Sequence, residues 1–343
     1  MDRLIPMLDL ARFEQGSSER RTFLADLRSA ARDVGFFYLS GHGIPDTQVD
    51  DVLSAARRFF DLPEPEKLAI EMANSPHFRG YTRAGGELTK GRADWREQLD
   101  IGIERQPIPP QPGAQAWTRL PGPNQWPSSL PSLKPTLLSW QATVTEVAIR
   151  LLRAFALALQ QPEDIFDALH ADQPNHRMKI VRYPGHDHAD GEQGVGAHKD
   201  GGFLTLLLQD AERGLQVEYD GSWVPVDPMP GTLVVNIGEL LELASNGYLR
   251  ATVHRVVSPP VGGERLSIPF FFGAGLDATV PLLDLPFELA AEARGPASDP
   301  ANPLFNDVGL NVLKSRLRSH PDVARRHYAD LLDAGFAVRQ WPA

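Results

Sequence analysis

The chain of 343 residues contains no cysteine. That absence excludes disulfides, iron–sulfur clusters and thiolate zinc sites, and it fits a cytoplasmic location. No run of about 18 apolar residues occurs, so no membrane span or membrane partner is expected. The N-terminus breaks its apolar character at Asp2, Arg3, Asp9 and Arg12, which leaves no continuous segment for a signal peptide. Internal repeats are absent as well. Basic charge is in short supply: 34 Lys and Arg against 44 Asp and Glu leave a net −10, where a nucleic-acid binder needs a basic surface. The remainder, 42% hydrophobic and 23% charged, is ordinary for a globular enzyme of one large domain or two smaller ones.

Patterning divides the chain into two regions. Residues 1–135 read as a helical and β region that is not an independent domain, and residues 136–343 as a β-rich core with a long helix before it and a helix after it. In the first region, residues 4–10 read as a strand, 20–34 as a helix, 35–39 as a buried strand and 46–60 as an amphipathic helix, with a short helix from Pro65. Residues 105–135 hold nine prolines, a density that forbids regular helix or central strand. Trp117 and Trp126 mark that stretch as an ordered excursion, since both need a surface to pack on. Residues 136–160 carry the apolar spacing of a long helix. From Arg177 to Phe272, seven short β-rich runs alternate with turns such as Asp220-Gly221 and Gly262-Gly263. Such spacing indicates an antiparallel sandwich or barrel, with a distorted double-stranded jelly roll as one solution. With helices on both flanks, the fold class is α+β.

The β-rich region holds the chemistry. His198 and Asp200, two residues apart, are expected on one face of a strand, about 7 Å apart along the backbone, with Lys199 facing the other way. His254, on a later strand, closes a triangle. Two imidazoles and one carboxylate form the ligand set of a mononuclear non-haem Fe(II) site with open positions, whereas a closed structural zinc site takes four protein ligands. An H-x-D triplet alone is a common coincidence. Arg265 and Ser267 repeat the two-residue spacing and would present a guanidinium and a hydroxyl together, which suits a carboxylate. The apolar run Ile268–Phe272 places that pair on a buried sheet, where an unpaired guanidinium is costly. His186 and His188, in the loop 185–190, are a second set of possible ligands, read here as a solvated face.

These residues resemble a known family. The stretch 194–207 (GVGAHKDGGFLTLL), then Asn236-Ile237-Gly238-Glu239, Ser245-Asn246-Gly247, His254-Arg255-Val256 and Arg265-Leu266-Ser267-Ile268-Pro269-Phe270-Phe271 are similar to segments of the isopenicillin N synthase-like Fe(II)/2-oxoglutarate-dependent dioxygenases. Ile5-Pro6, Gly35-Phe36-Phe37, Gly41-His42-Gly43-Ile44, Gly80-Tyr81 and residues 122–127 (GPNQWP) resemble the family's N-terminal region. The likeness implies a jelly-roll core in which His198, Asp200 and His254 bind Fe(II). It implies that Arg265 and Ser267 hold the distal carboxylate of 2-oxoglutarate, and that Tyr183 lines the co-substrate or substrate site. O2 is the other co-substrate it implies. Val181 stands where many members, especially plant ones, have Asn, and Gly238-Glu239 replaces the commoner Gly-Asp.

The activity implied is oxidation, foremost hydroxylation, of an unactivated C–H bond of a small organic molecule, with release of succinate and CO2. Tyr81, Phe271 and Leu206 are the candidate substrate contacts, while Arg83, Lys90, Arg92 and Arg96 cluster near Tyr81 as possible contacts for an acidic substrate. Three other readings use the same residues: a 2-oxoglutarate-independent Fe(II) oxidase, an ethylene-forming enzyme, and a non-catalytic jelly-roll binding protein. No separate acid or base is assigned beside the iron centre. Substrate identity and oligomeric state are not encoded in any motif.

Overall fold

The computed structural model describes residues 4–336 apart from 173, 186, 188–192, 298, 300 and 301. The expectation for His186 and His188 therefore lies outside the described residues. The N-terminal part contributes β1 (Met7–Asp9), α1 (Ser17–Asp33), β2 (Phe36–Ser40), α2 (Asp46–Phe60), α3 (Glu64–Leu68), β3 (Gly80–Thr82), a small hairpin of β4 (Leu88–Thr89) and β5 (Arg92–Ala93), and β6 (Glu97–Gly102). After α4 (Leu133–Ala158) come β7 (Arg177–Pro184), β8 (Gln193–His198), β9 (Leu204–Gln209), β10 (Leu215–Tyr219), β11 (Ser222–Pro225) and β12 (Leu233–Ile237). Then follow α5 (Glu239–Ala244), β13 (His254–Val257), β14 (Glu264–Phe272), α6 (Phe287–Ala290) and α7 (Val308–Ser319), with two short helices beyond.

Two sheets form the sandwich. The larger has eight strands in the order β1-β2-β12-β9-β14-β7-β6-β3, and the smaller has four in the order β11-β10-β13-β8. Four strands of the large sheet, β1, β2, β3 and β6, come from the first region of the chain and complete it on both sides. The outer face of the large sheet is apolar and packs on the helices. Leu137, Trp140, Val144, Leu151 and Phe155 of α4 are buried there, in one cluster with Leu204, Leu206 and Leu208 of β9 and Ile268, Phe270 and Phe272 of β14. Each such side chain contributes roughly 1.5–3 kcal/mol by leaving water. The inner face looks across at the small sheet. Val181, Tyr183 and Val234 pack there on Val195, Val217 and Val256.

Several elements differ from their sequence-based expectation. The first strand stops at Asp9, because the Asp9 carboxylate accepts from the Ala11 amide at 3.0 Å and turns the chain into a 3-10 helix. The strands β3 and β6 were not expected, since Glu97-Gln98-Leu99-Asp100 reads as polar; their polar side chains are paired in the interior. The long helix starts before Pro135, which stands in its first turn, where no backbone donor is needed. Ahead of that helix, the proline-rich stretch has only a short 3-10 turn at Ala116–Arg119. Trp126 anchors it by donating to the Glu104 carboxylate at 2.7 Å.

Candidate metal centre and co-substrate pocket

His198 closes β8, while His254 opens β13, and the two residues pair directly across the small sheet. Asp200 lies beyond the end of β8, not on a strand shared with His198. A turn, not strand alternation, therefore aims its carboxylate at the two imidazoles. The turn is held by the Glu239 amide, which donates to the Asp200 carbonyl at 2.7 Å, and by the Gly238 amide, which donates to Phe203 at 2.9 Å. Gly238 has to lack a side chain: a Cβ there would stand 2.0 Å from the Gly202 carbonyl oxygen.

One ligand atom from each of His198, Asp200 and His254 lies within 4.8 Å of the others. His198 Nδ1 is 2.8 Å from the Gly196 carbonyl and His254 Nδ1 is 3.1 Å from the Thr252 carbonyl. A carbonyl only accepts, so each ring carries its proton on Nδ1 and leaves Nε2 as a free donor for a metal. Asp200 Oδ2 accepts from Thr205 Oγ1 at 2.6 Å and from Asn236 Nδ2 at 2.8 Å. Its other oxygen, Oδ1, is left facing the two Nε2 atoms, at 3.5 and 3.8 Å. Burial alone would raise the Asp200 carboxyl, but the imidazoles of His254 and His198 and the Thr205 hydroxyl overcome it and hold the group far below the usual carboxylate range. Burial pushes His254 down to about 4. An ionised carboxylate and a neutral imidazole are the forms a divalent metal requires. Three donors, one of them anionic, fit an iron ion with positions left for exogenous ligands. Lys199 faces away and pairs with Glu242 at 3.2 Å.

Arg265 lies on β14 opposite Tyr183 of β7, and Ser267 lies opposite Gln209 of β9. All are on the inner face. Arg265 is fully buried. Nη2 donates to the Gln209 amide oxygen at 2.7 Å, the guanidinium stands 4.9 Å from the centre of the Tyr183 ring, and Nε and Nη1 have no partner. A buried cation with two unmet donors beside the Ser267 hydroxyl fits a carboxylate, which can accept both bonds at once.

Two of the three expected substrate contacts fall on the other face of the sheet. Leu206 alternates with Thr205, so while Thr205 reaches Asp200, Leu206 points into the helix-facing core. Tyr81 belongs to that core as well, and its hydroxyl donates to Glu97 at 2.6 Å. Phe271 does face inward, opposite Thr205. Of the four basic residues near Tyr81, only Arg96 turns inside, and it pairs with Glu87 at 2.8 Å and Asp94 at 3.2 Å. Thr205, Gln209 and Asp94 received no role from the sequence. Asp94 is fully buried and accepts from the Gly196 amide at 3.1 Å, which braces the peptide that orients His198. Thr205 lies within the matched stretch 194–207, but only the register distinguishes it from its leucine neighbours.

A two-sheet jelly roll with a two-His, one-carboxylate cluster and a buried arginine between the sheets defines the class of non-haem iron oxygenases that take an oxo acid. The model of the non-haem dioxygenase in morphine synthesis N-terminal region matches residues 5–129, and that of the 2OG-Fe(II) oxygenase superfamily matches residues 174–274. A 2-oxoglutarate-dependent dioxygenase, frbJ, of Dothideomycetidae sp. is 39% identical over 96% of this chain and 93% of its own length. A homoarginine-6-hydroxylase of Arabidopsis thaliana is 37% identical over 76% of this chain and 79% of its own. The crystal structure of a 2OG-Fe(II) oxygenase family protein from Caulobacter crescentus superposes with a TM-score of 0.72 at 30% identity, covering 92% of this chain and 98% of that one. The chain belongs to the Fe(II)/2-oxoglutarate-dependent dioxygenase family. It is an oxidoreductase that uses Fe(II), 2-oxoglutarate and O2, and its α+β jelly-roll core is the fold of that family.

Proposed function

We propose that His198, Asp200 and His254 hold the iron, that Arg265 and Ser267 take the distal carboxylate of 2-oxoglutarate beside Tyr183, and that the enzyme hydroxylates a C–H bond of a small organic molecule. The observation that carries this reading is the convergence of three donor atoms, each freed by a hydrogen bond on the far side of its own group. Bound iron supplies the redox chemistry that couples decarboxylation of 2-oxoglutarate, to succinate and CO2, with oxidation of the substrate.

The chain's own residues do the rest. Thr205 and Asn236 orient Asp200, and the Gly196 and Thr252 carbonyls fix both imidazole tautomers. Arg265, backed by Gln209 and Tyr183, orients the oxo acid by two parallel hydrogen bonds and its charge. Phe271 and the apolar residues between the sheets keep water from the reacting centre. The 36–37% identity to homoarginine-6-hydroxylases over about three quarters of the chain supports hydroxylation as the outcome. Incubation with Fe(II), 2-oxoglutarate and oxygen should yield succinate in wild-type protein and none in His198→Ala. Equal oxygen uptake with and without 2-oxoglutarate would overturn the reading in favour of an oxidase.

A further inference from the structure

On the inner face beyond Phe271, three buried carboxylates hold three cations. Glu87 takes Lys179 at 2.8 Å and Arg96 at 2.8 Å, Asp94 shares Arg96 at 3.2 Å, and Asp100 takes Arg316 of α7 at 3.0 Å. Three carboxylates thus neutralise three cations. Arg79 and the half-buried Arg177 are left without a carboxylate. Arg177 lies on β7 two residues before Lys179, opposite Phe271, and its guanidinium stands 5.6 Å from the centre of the Phe271 ring. Among the described residues its side chain makes no hydrogen bond and no ion pair. Arg79, the neighbouring guanidinium, gives its Nη1 to the carbonyls of His77 and Phe78.

Position completes the case. Phe271 pairs with Thr205, whose hydroxyl holds Asp200, so Arg177 sits one strand away from the support of the metal cluster. Burial and then the charge of Arg316 push Arg177 down to about 9, against the pull of Asp100 and Asp200, so the group is still a cation at neutral pH. Arg265 is six residues further along the paired strands, about 20 Å away. A five-carbon diacid cannot span that distance, so Arg177 is not a second hand on 2-oxoglutarate.

We propose that Arg177, flanked by Phe271, anchors a carboxylate of the substrate, and that the enzyme therefore acts on small organic acids. This rests on the function proposed above and deepens it. Lys179, Arg96 and Arg316 are paired with carboxylates and Arg79 gives its Nη1 to backbone carbonyls, which leaves the Arg177 guanidinium open to a carboxylate that its parallel N–H groups can hold. The face of Phe271 beside it suits an apolar or planar body next to the acid group.

The test uses the full chain loaded with Mn(II) and 2-oxoglutarate, without oxygen, and measures binding by thermal shift. The probes are a library of monocarboxylates of aliphatic and aromatic type, their primary amides, and the corresponding phosphate monoesters. The expected result is stabilisation by one or more acids and not by the matching amides, with affinity reduced roughly 30-fold or more in Arg177→Met and partly kept in Arg177→Lys. Thermal unfolding of each variant without probe verifies that it folds. Amides that bind as well as acids, phosphates that bind better, or no acid that distinguishes wild type from Arg177→Met each overturn the proposal. Titration of 2-oxoglutarate into the Mn(II) protein is run alongside. Loss of that binding in wild type would strike the proposed function, whereas its presence without acid binding strikes this inference alone.

Discussion

Replacing Arg265 by Met should change stability little in the absence of 2-oxoglutarate and cost about 2 kcal/mol when it is added. In the Mn(II) protein without the oxo acid, Arg265 is a buried cation with two unmet N–H groups, each costing about 1–3 kcal/mol. Met removes that penalty. It also removes the bond to Gln209, about 1.5–3 kcal/mol for a charged donor, and the contact with the Tyr183 ring, about 1–2 kcal/mol. The terms nearly cancel, so the variant should match wild type to within about 2 kcal/mol. With 2-oxoglutarate at about 100 times its wild-type Kd, wild type gains about 2.7 kcal/mol. A variant that binds it roughly 30-fold more weakly gains only about 0.9 kcal/mol at the same concentration. Urea unfolding of both proteins, with and without 2-oxoglutarate, measures the difference directly. A variant that loses more than about 3 kcal/mol without the ligand, yet is stabilised by it as much as wild type, would refute the assignment and make Arg265 a structural residue.

Thr205→Val keeps the shape of the side chain but removes the bond to Asp200 Oδ2; it should weaken metal affinity about 10- to 100-fold, read by competition with a chelating dye, while the fold stays intact. Leu206→Ala should cost about 2–5 kcal/mol of stability and leave the affinity for 2-oxoglutarate unchanged by calorimetry, because Leu206 faces the helices. Glu87 gives a pH dependence. Burial would raise its carboxyl, but Arg96, Lys179 and His320 outweigh burial and hold it well below the usual carboxylate range. Its stabilising effect is therefore complete above the unfolded-chain value and is lost as the pH falls through the lower folded value. Glu87→Gln should unfold in less urea at about pH 7, with a shallower loss of stability between about pH 5 and 3 than wild type.

The proposed donors were legible in the sequence because their chemistry is local. His198, Asp200, His254, Arg265 and Ser267 are polar residues set in apolar or glycine-rich runs, and each needs a reason to be there. What the sequence could not convey was the facing of nearly continuous apolar strands. Leu204–Gln209 contains a single polar residue, Thr205, before its end, and the choice of Leu206 as a substrate contact failed because β9 is covered on both faces and its alternation is masked. Tyr81 failed for a related reason: β3 and β6 were invisible as strands, since Glu97 and Asp100 are carboxylates whose cationic partners, Lys67, Lys179, Arg182 and Arg316, are far away in the chain, and Gln98 donates to Glu87 and Asp100. Arg177 was passed over because an arginine at a strand start is ordinary. Its significance lies in the ion pairs that Lys179, Arg96 and Arg316 make around it, which leave it without a carboxylate.

The strand order has a consequence for how the protein comes to exist. β2 pairs with β12, nearly 200 residues later, and β6 pairs with β7 across the whole of α4. Such pairings demand closure of long loops before any contact repays the entropy. On the ribosome, the first hundred residues emerge with the unpaired edges of β2 and β6 and must wait until Phe272 has been made before the large sheet can close. Folding is therefore expected to be slow and largely post-translational, and the proposed iron pocket is among the last features to form, since its buried arginine and its second histidine both lie beyond residue 250.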